Sequence, residues 1–319
     1  MKYLKHGLAA LALMAASASG LAQTSGKLLT VVVPFAPGGT NDLVARVVVQ
    51  RMSESGRSAI VDNRSGGGGV IGWQAVARAQ PDGTMLLAND MSFAIAAGLI
   101  PKLPYDARKD FVNITTAAST PFVLIVNAKV PAKDVQELIK LAKDKPGKLN
   151  YGSGGNGTNT HLAAEMFKSQ TKADIAHVPY KGAAQALQDV IGGQIDVLFT
   201  ALPTALPHIK SGKVRALMVT DAKRAATLQD VPSASEAGVP KMVAHYWVGF
   251  AAPAKTPPEV VAQLSKELTA AIKSKEAKER FEQLGLDPIG NTPAEAAKFV
   301  EDEMQRWGAL IKAAGIKAD

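Results

Sequence analysis

The sequence predicts an α/β protein of two lobes, each built on a mainly parallel sheet flanked by helices. Short runs of β-forming residues alternate with amphipathic helical patterns almost from end to end of the 319 residues, which is the rhythm of βα units in parallel sheets. A second series of such units begins after residue 147. Removal of a leader, 1–22, would leave 297 residues (319 minus 22), enough for two domains.

The leader has the pattern of a secretory signal peptide. Lys2 and Lys5 precede an apolar stretch at 8–16, and small residues at 20–22 offer a cleavage site after Ala22. A membrane anchor would need about 18 to 20 apolar residues, and this stretch is shorter. We therefore expect export to the periplasm. The chain has no cysteine, which excludes disulfides, thiolate metal sites and cysteine nucleophiles.

The first series of elements opens with a buried-strand run at 28–35, followed by a helix with Thr40 as its expected N-cap. The apolar positions of that helix recur at the spacing of a single helical face, at Leu43, Val44, Val47 and Val48. The next two strands are expected at 58–62 and 84–89.

The second series follows an apolar strand run at 121–127 and a helix that ends before Pro146 and Gly147. That helix carries an apolar stripe at Val135, Leu138, Ile139 and Ala142. The strands of the series are expected at 148–152, 174–179, 194–199 and 214–220. Helices between them are expected to begin near Thr158, Ala183 and Pro203.

The end of the chain has a strand run at 245–253 and then three helical patterns without intervening strands, at 257–273, 275–284 and 293–314. A terminal cluster of helices of this kind is expected to pack back on the earlier sheet. With crossings near Asn127 and His245, lobe 1 comprises 23–125 plus 248–319, and lobe 2 comprises 126–247.

Three glycine-rich turns lie where a strand passes into a helix, at 34–42, 63–72 and 151–161. The start of a helix leaves backbone N–H groups unpaired and carries partial positive charge, and glycine lets a ligand approach the backbone closely. Glycine also simply permits tight turns. Two such turns, one in each expected lobe, favour an anionic ligand held in a cleft.

The turn at 63–72 also raises a dinucleotide interpretation. Gly67, Gly69 and Gly72 form a G-x-G-x-x-G pattern, and Asp90 follows about 20 residues later, where a ribose-binding acid is expected. A Rossmann fingerprint, however, begins directly at the end of the first strand of its domain. Here it follows the second strand, with 63–66 intervening.

Other classes of function find little support in the residues. The net charge is +8, or +6 without Lys2 and Lys5, but the basic residues are scattered along the chain and mixed with 28 acidic residues. Aromatic residues make up only 5% of the sequence, so nucleic acid is not an expected partner. The histidines beyond the leader lack metal-binding spacing, and neither a nucleophile elbow nor a P-loop occurs. We expect no catalytic residue, metal or cofactor.

Seven segments, taken in order, resemble the signature segments of the Bug-type substrate-binding receptors of tripartite tricarboxylate transporters. They are VPFAPGGTNDLVAR, VDNRSGGGGVIG, AQPDGTMLL, THLAAEMF, VPYKGAAQALQDVIGGQIDVLF, LPHIKSGKVRALMVT and DVPSASEAGVP. The resemblance covers nearly the whole chain beyond the leader. One departure is Ser65, which stands where the family usually has proline.

The resemblance implies a two-lobed periplasmic binding protein of type II, closing on a ligand between the lobes. Family members hold a carboxylate between the first loop of lobe 1 and the glycine-rich loop of lobe 2, largely through backbone N–H groups and water. Carried over to this chain, the ligand-binding residues are Phe35, Ala36, Gly38, Gly39, Thr40, Gly154, Asn156, Gly157 and Thr158. Candidates for specificity are Ser92, Phe93, Tyr180, Lys181, Thr200, Tyr246 and Trp247.

The function implied is a monomeric, non-enzymatic receptor that hands a small mono-, di- or aromatic carboxylate to a membrane permease. Thr200 stands where relatives often have Asp or Asn, which argues against α-amino acids as ligands. Two alternatives stay open. The receptor could serve a sensor kinase instead of a permease, or the chain could be a dinucleotide-dependent oxidoreductase.

Overall fold

The computed structural model describes residues 26–314. The predicted signal peptide and its cleavage site lie outside these residues. The strands are β1 (Leu29–Val33), β2 (Ala59–Asn63), β3 (Met85–Asp90), β4 (Phe111–Asn127), β5 (Leu149–Ser153), β6 (Ile175–Pro179), β7 (Val197–Ala201), β8 (Val214–Val219), β9 (His245–Pro253) and β10 (Asp287–Pro288). The helices are α1 (Thr40–Glu54), α2 (Val70–Ala77), α3 (Met91–Leu99), α4 (Val135–Asp144), α5 (Asn159–Thr171), α6 (Ala183–Gly192), α7 (Leu202–Lys210), α8 (Pro258–Lys273), α9 (Lys275–Leu284) and α10 (Pro293–Ala314).

The strands form two groups that share β4. The first group has the order β2-β1-β3-β9-β4, with β10 also paired to β4. The second group has the order β8-β4-β7-β5-β6. Strands that belong to βα units are parallel to each other, whereas β4, β8, β9 and β10 pair antiparallel. The predicted α/β class with mainly parallel βα units is therefore confirmed.

Strand β4 passes from one group to the other. It pairs with β9 as far as Pro121 and with β7 from Phe122 onward. The sequence predicted only its second half, because the first half is rich in Thr, Asn and Ser. The structure satisfies these polar groups: the Thr120 hydroxyl donates to Gly285 O at 2.6 Å, and Thr115 to Asn291 O at 2.9 Å. The predicted lobe boundaries at 125/126 and 247/248 stay predictions.

The three terminal helices follow the sequence expectation closely and pack back on the first group of strands, with α8 and α10 against β4. The expectation that no strand lies between them was wrong. Residues 287–288 form β10, which pairs with Ser119 and Ala118 of β4. A two-residue strand carries no periodic signal that a sequence pattern could reveal.

Helices α3 and α10 meet at two glycines, and this contact gives a first prediction. A methyl group at Gly98 would lie 2.9 Å from Gly308 Cα, whereas one at Gly308 would meet no heavy atom of the described chain within 4 Å. We expect Gly98→Ala to lower the free energy of unfolding by about 1–3 kcal/mol through overpacking. Gly308→Ala should raise it by about 0.5–1 kcal/mol, because alanine restricts the unfolded chain. Urea denaturation of both variants measures the difference, and equal shifts would contradict this packing.

Candidate ligand-binding site

The first loop, 34–42, connects β1 to α1 and is held by a buried carboxylate. Asp42 accepts hydrogen bonds from the Gly38 backbone N–H at 3.0 Å, from Arg46 Nε at 2.9 Å and from Asn63 Nδ2 at 2.9 Å. Burial alone would raise the pKa of Asp42, but these bonds outweigh it and hold the pKa below its usual value. Asn63 also donates to Phe35 O at 3.1 Å, so the glycine-rich turn at 63–72 supports the first loop.

The second loop, 153–160, connects β5 to α5 and is braced from within. Thr160 Oγ1 accepts the Gly154 N–H at 2.8 Å, and the Thr158 hydroxyl donates to Gly155 O at 2.7 Å. The Gly157 N–H donates to Nδ1 of the buried His161 at 3.1 Å. These bonds fix the backbone at the start of α5 before any ligand arrives.

Each of the two loops makes contacts with the opposite predicted lobe across a narrow gap. Thr40 Oγ1 lies 2.9 Å from Thr204 Oγ1, and Asn159 Nδ2 donates to Ser92 Oγ at 2.8 Å. In addition, the Ala36 N–H donates to Lys181 O at 3.4 Å. Since each pair joins residues of the two predicted lobes, the structure has the geometry of a closed cleft.

A small cavity of about 40 Å³ lies between the loops. Its lining, all of it within the described residues, contains no lysine, arginine or histidine. The lining residues are Phe35, Ala36, Gly39, Thr40, Asn41, Asp42, Asp90, Gly154, Thr158, Asn159, Thr160, Ala183, Thr200, Ala201, Thr204 and Tyr246.

Five helices begin at this cavity, namely α1, α3, α5, α6 and α7. In the described chain the cap residues of α1, α5, α6 and α7 make no side-chain hydrogen bond to the first turn, although at α5 the Asn159 N–H donates to Ser92 Oγ at 3.2 Å. By contrast, α3 is capped by Asp90, and α4 and α9 are capped by Asp134 and Ser274. The expected N-cap role of Thr40 was therefore wrong: Gly39 occupies the cap position, and the Thr40 hydroxyl bonds across the gap. Uncapped helix starts leave N–H groups that can bind an anion.

Seven of the thirteen ligand-binding residues expected from the sequence lie in the cavity lining, namely Phe35, Ala36, Gly39, Thr40, Gly154, Thr158 and Thr200. The hydroxyl of Thr200 is buried and has no hydrogen-bond partner among residues 26–314. An unpaired buried hydroxyl is costly. A ligand in the cavity is the natural partner for it.

The other six, namely Gly38, Ser92, Phe93, Asn156, Gly157 and Tyr180, are outside the lining. Several are committed elsewhere. Phe93 packs in an aromatic cluster with Trp73 and Phe111, at ring-centroid distances of 5.8 Å and 5.0 Å. Tyr180 donates its hydroxyl to Asp189. Of the further candidates, Tyr246 lies in the lining and Trp247 donates to Glu303 at 3.0 Å.

The sequence did not single out several lining residues as ligand contacts, namely Asn41, Asp42, Asp90, Asn159, Thr160, Ala183, Ala201 and Thr204. Most of them share one feature: they lie just after a strand, at or near the start of the following helix. Ligands of open α/β sheets bind beyond the carboxyl ends of the strands. Applying that rule to every βα turn would have found Ala183 and Thr204.

The glycine-rich turn that suggested a dinucleotide lies beside the cavity, outside its lining. Gly72 packs on the first loop, since a methyl group there would lie 2.7 Å from Pro34 Cα. Gly68 faces the second loop, where a methyl group would lie 2.7 Å from Asn156 O. The turn therefore serves helix packing and contact between the loops, and the approach to its helix start is occupied by protein.

Two further features concern the class of protein. Within residues 26–314, no group of three or more His, Cys, Asp or Glu side chains is placed to hold a metal ion. A search of the same residues for a helix sufficiently long and apolar to span a bilayer finds none.

Comparison with known proteins identifies the family. The family model described as tripartite tricarboxylate transporter family receptor (TctC) matches residues 44–316. The UPF0065 protein of the tcbD-tcbE intergenic region of Pseudomonas sp. (strain P51) is 38% identical over 285 residues, covering 89% of this chain and 85% of that protein. BugT of Bordetella pertussis is 35% identical over 292 residues, covering 91% and 90%.

Solved structures of periplasmic binding proteins are also similar to this chain. The periplasmic binding protein BugD has a TM-score of 0.89 at 33% identity, with 92% of this chain and 99% of BugD covered. An R. palustris protein with adipate has a TM-score of 0.88 at 35% identity, covering 92% and 98%. MatC from Rhodopseudomonas palustris with bound malate has a TM-score of 0.86 at 31% identity, covering 90% and 99%. The predicted two-lobed fold of periplasmic binding proteins is thus confirmed. The chain belongs to the tripartite tricarboxylate transporter family of receptors, which are periplasmic solute-binding proteins and not enzymes.

Proposed function

We propose that this chain binds a small carboxylate in the cavity between the first and second loops and delivers it to a tripartite tricarboxylate-type permease. The protein acts as a monomer after removal of the signal peptide near Ala22. Its lobes are 23–125 plus 248–319 and 126–247, and they close on the ligand.

One observation carries this proposal: four uncapped helix starts converge on a cavity without a cationic side chain. The N–H groups at these helix starts favour a negatively charged group, although that of Asn159 is already bonded to Ser92 Oγ, and the partial charges of the helix ends add to that preference. A single anion bridging α1 and α5 interacts more strongly with the closed form than with an open one. Binding therefore shifts the population toward closure.

The size and chemistry of the ligand follow from the lining. A cavity of about 40 Å³ favours a ligand of few carbon atoms. Two relatives of known structure are described with adipate and with malate, which supports a mono- or dicarboxylate here. The hydroxyl of Thr200 offers a neutral contact, so it provides no charge to pair with an α-amino group.

The proposal is tested by thermal shift and titration calorimetry of the mature protein against mono-, di- and aromatic carboxylates. A true ligand at about 100 times its Kd should raise the free energy of unfolding by about 2.7 kcal/mol. Thr200→Val is the informative variant. We expect it to stabilise the unliganded protein by about 1 kcal/mol, because it removes a buried hydroxyl without a partner among the described residues.

The same variant should weaken ligand binding by about tenfold if the hydroxyl contacts the ligand. Higher stability of the unliganded variant together with lower affinity would show a binding role, whereas a general structural defect would lower both. A panel in which no carboxylate produces heat or a thermal shift would contradict the proposed function.

A further inference from the structure

Asp90 is a carboxylate at the floor of the cavity, and the binding scheme above gives it no role. It stands at the end of β3 and caps α3 by accepting the Ser92 N–H at 3.0 Å. Its side chain is fully buried, yet it belongs to the lining of the cavity that would receive an anion. Helix capping accounts for the hydrogen bond to one oxygen of Asp90. It does not account for a carboxylate in the lining of an anion site.

The groups that face Asp90 come from four elements, and its bonded partners among the described residues are neutral. On β9, Tyr246 donates its hydroxyl to Asp90 Oδ2 at 2.7 Å, and on α5, Asn159 Nδ2 lies 3.5 Å from the same oxygen. On helix α3, the backbone N–H of Ser92 donates to Asp90 Oδ1. Helix α1 contributes Asn41 and the second acidic residue of the lining, Asp42.

The two acids of the lining differ in their partners. Asp42 has Arg46 at 2.9 Å, so its negative charge is compensated. Burial raises the pKa of Asp90 to about 6, against the opposing effect of hydrogen bonds from Tyr246, Ser92 and other neighbours. Burial and the adjacent Asp90 also raise the pKa of Tyr246, which therefore stays a neutral donor.

An anionic ligand in this cavity would place a second negative charge close to a buried, uncompensated one. Such pairs do not both stay ionised in a low-dielectric site: one pKa rises, or a proton lies between the groups. The lining has no cation to relieve the repulsion. A proton held on Asp90, or a donor group on the ligand, removes it.

Building on the proposed function, we propose that the cavity holds its ligand with one proton between the ligand and Asp90. A plain carboxylate binds with uptake of that proton from solvent onto Asp90. A ligand with a hydroxyl group facing Asp90 supplies the proton itself and binds without uptake. The residue thus sets both the pH dependence of the receptor and its preference for hydroxyl-bearing acids above neutral pH.

The direction of the pH dependence of ligand affinity follows from the change in the pKa of Asp90 on binding. Because bound anion raises the pKa of Asp90 further, binding of a plain carboxylate weakens as the pH rises from the free towards the bound pKa. Two units of increase would lower the affinity by about tenfold or more between about pH 6 and about pH 8. The single carboxyl groups of propionate and lactate stay ionised in this range. The second carboxyl group of succinate still titrates near its lower end, so the monocarboxylate pair gives the proton count.

The experiment compares ligands that differ by one hydroxyl, succinate with malate and propionate with lactate, by calorimetry at both pH values. Buffers of different ionisation enthalpy count the protons taken up. We expect the plain acid to lose about tenfold in affinity from the lower to the higher pH and to take up about half a proton at each of the two values, whereas the hydroxy acid shows much less of both. Asp90→Asn keeps a helix-capping side chain and should abolish the pH dependence.

Glu303→Gln is the matched control, because Glu303 is a buried carboxylate that accepts from Trp247 and Trp307 and lies outside the lining. This variant should keep the pH dependence. Equal, pH-independent affinities for both members of a pair, or a pH dependence that persists in Asp90→Asn, would overturn the inference while the receptor function stands. The proton count on the unmodified protein decides the matter if Asp90→Asn does not fold. Absence of all carboxylate binding would instead overturn the proposed function, and this inference with it.

Discussion

Gly39→Val is expected to abolish carboxylate binding while the protein stays folded. Gly39 lines the cavity at the start of α1. Its φ of −77° and ψ of 164° are extended backbone that valine readily adopts. A Cβ at this position would meet only Ala36 O, at 3.9 Å, among the described residues. The added side chain therefore strains nothing in the protein and narrows the space that the ligand carboxylate needs.

We expect a loss in affinity of about 100-fold or more, with the free energy of unfolding changed by less than about 1 kcal/mol. Calorimetry and urea denaturation of the same sample measure the two quantities. Gly39→Ala should give an intermediate loss, which separates a steric effect from a general one. Unchanged affinity in Gly39→Val would show that the ligand does not approach the start of α1.

The second loop does not offer an equivalent probe at Gly157, although the sequence predicts the same ligand-binding role for both glycines. Gly157 has a φ of +74°, which a valine side chain opposes, and a Cβ there would lie 3.0 Å from Leu99 Cδ2. Its N–H is already bonded to His161. A bulky residue at this position would change stability and binding together, so the result could not be assigned to the ligand.

Local patterns predicted most of the secondary structure because their signals lie within a few residues. Helices α8 to α10 were placed within one residue of their observed bounds, since Pro257, Ser274 and Pro293 mark their starts in the sequence. The first half of β4 was missed because the polar groups of its threonines are satisfied by Asn291 and Gly285, more than 160 residues away.

Some residues of the candidate site could likewise be predicted from local sequence, whereas others come together only in the folded chain. Glycine-rich turns identified Gly39, Gly154 and Thr158, because a helix start beside glycine is visible locally. Asn159 and Asp90 come together only when the loops meet, 69 residues apart in the chain. Phe93 illustrates the opposite error: an aromatic residue after a strand can face a ligand or the core, and here its contacts with Trp73 and Phe111 place it in the core.

Contact between the loops also supplies a way to change affinity from outside the cavity. Gly68 in the turn at 63–72 faces the second loop, where a Cβ would lie 2.7 Å from Asn156 O and 3.9 Å from Thr158 Cγ2. Carbon and backbone oxygen do not approach so closely, so Gly68→Ala must push the loops apart. Because the ligand binds the closed form, its apparent affinity falls with the population of that form.

We expect Gly68→Ala to weaken carboxylate binding by about 10- to 100-fold, although residue 68 lies outside the cavity lining. Gly67→Ala is the matched control. Gly67 and Gly68 have similar positive φ values, +58° and +64°, so alanine suffers the same backbone strain at both. A Cβ at Gly67, however, would meet only Val70 Cβ, at 3.4 Å, in the described chain.

The two variants should therefore lose similar stability, about 1 kcal/mol each, and differ in affinity. Small-angle scattering without ligand should show a larger radius of gyration for Gly68→Ala than for Gly67→Ala, because only the first hinders closure. Equal affinities in the two variants would mean that the approach of Gly68 to Asn156 does not contribute to the ligand-bound state. A selective loss would instead show that the turn once suggestive of a nucleotide site controls closure over a carboxylate.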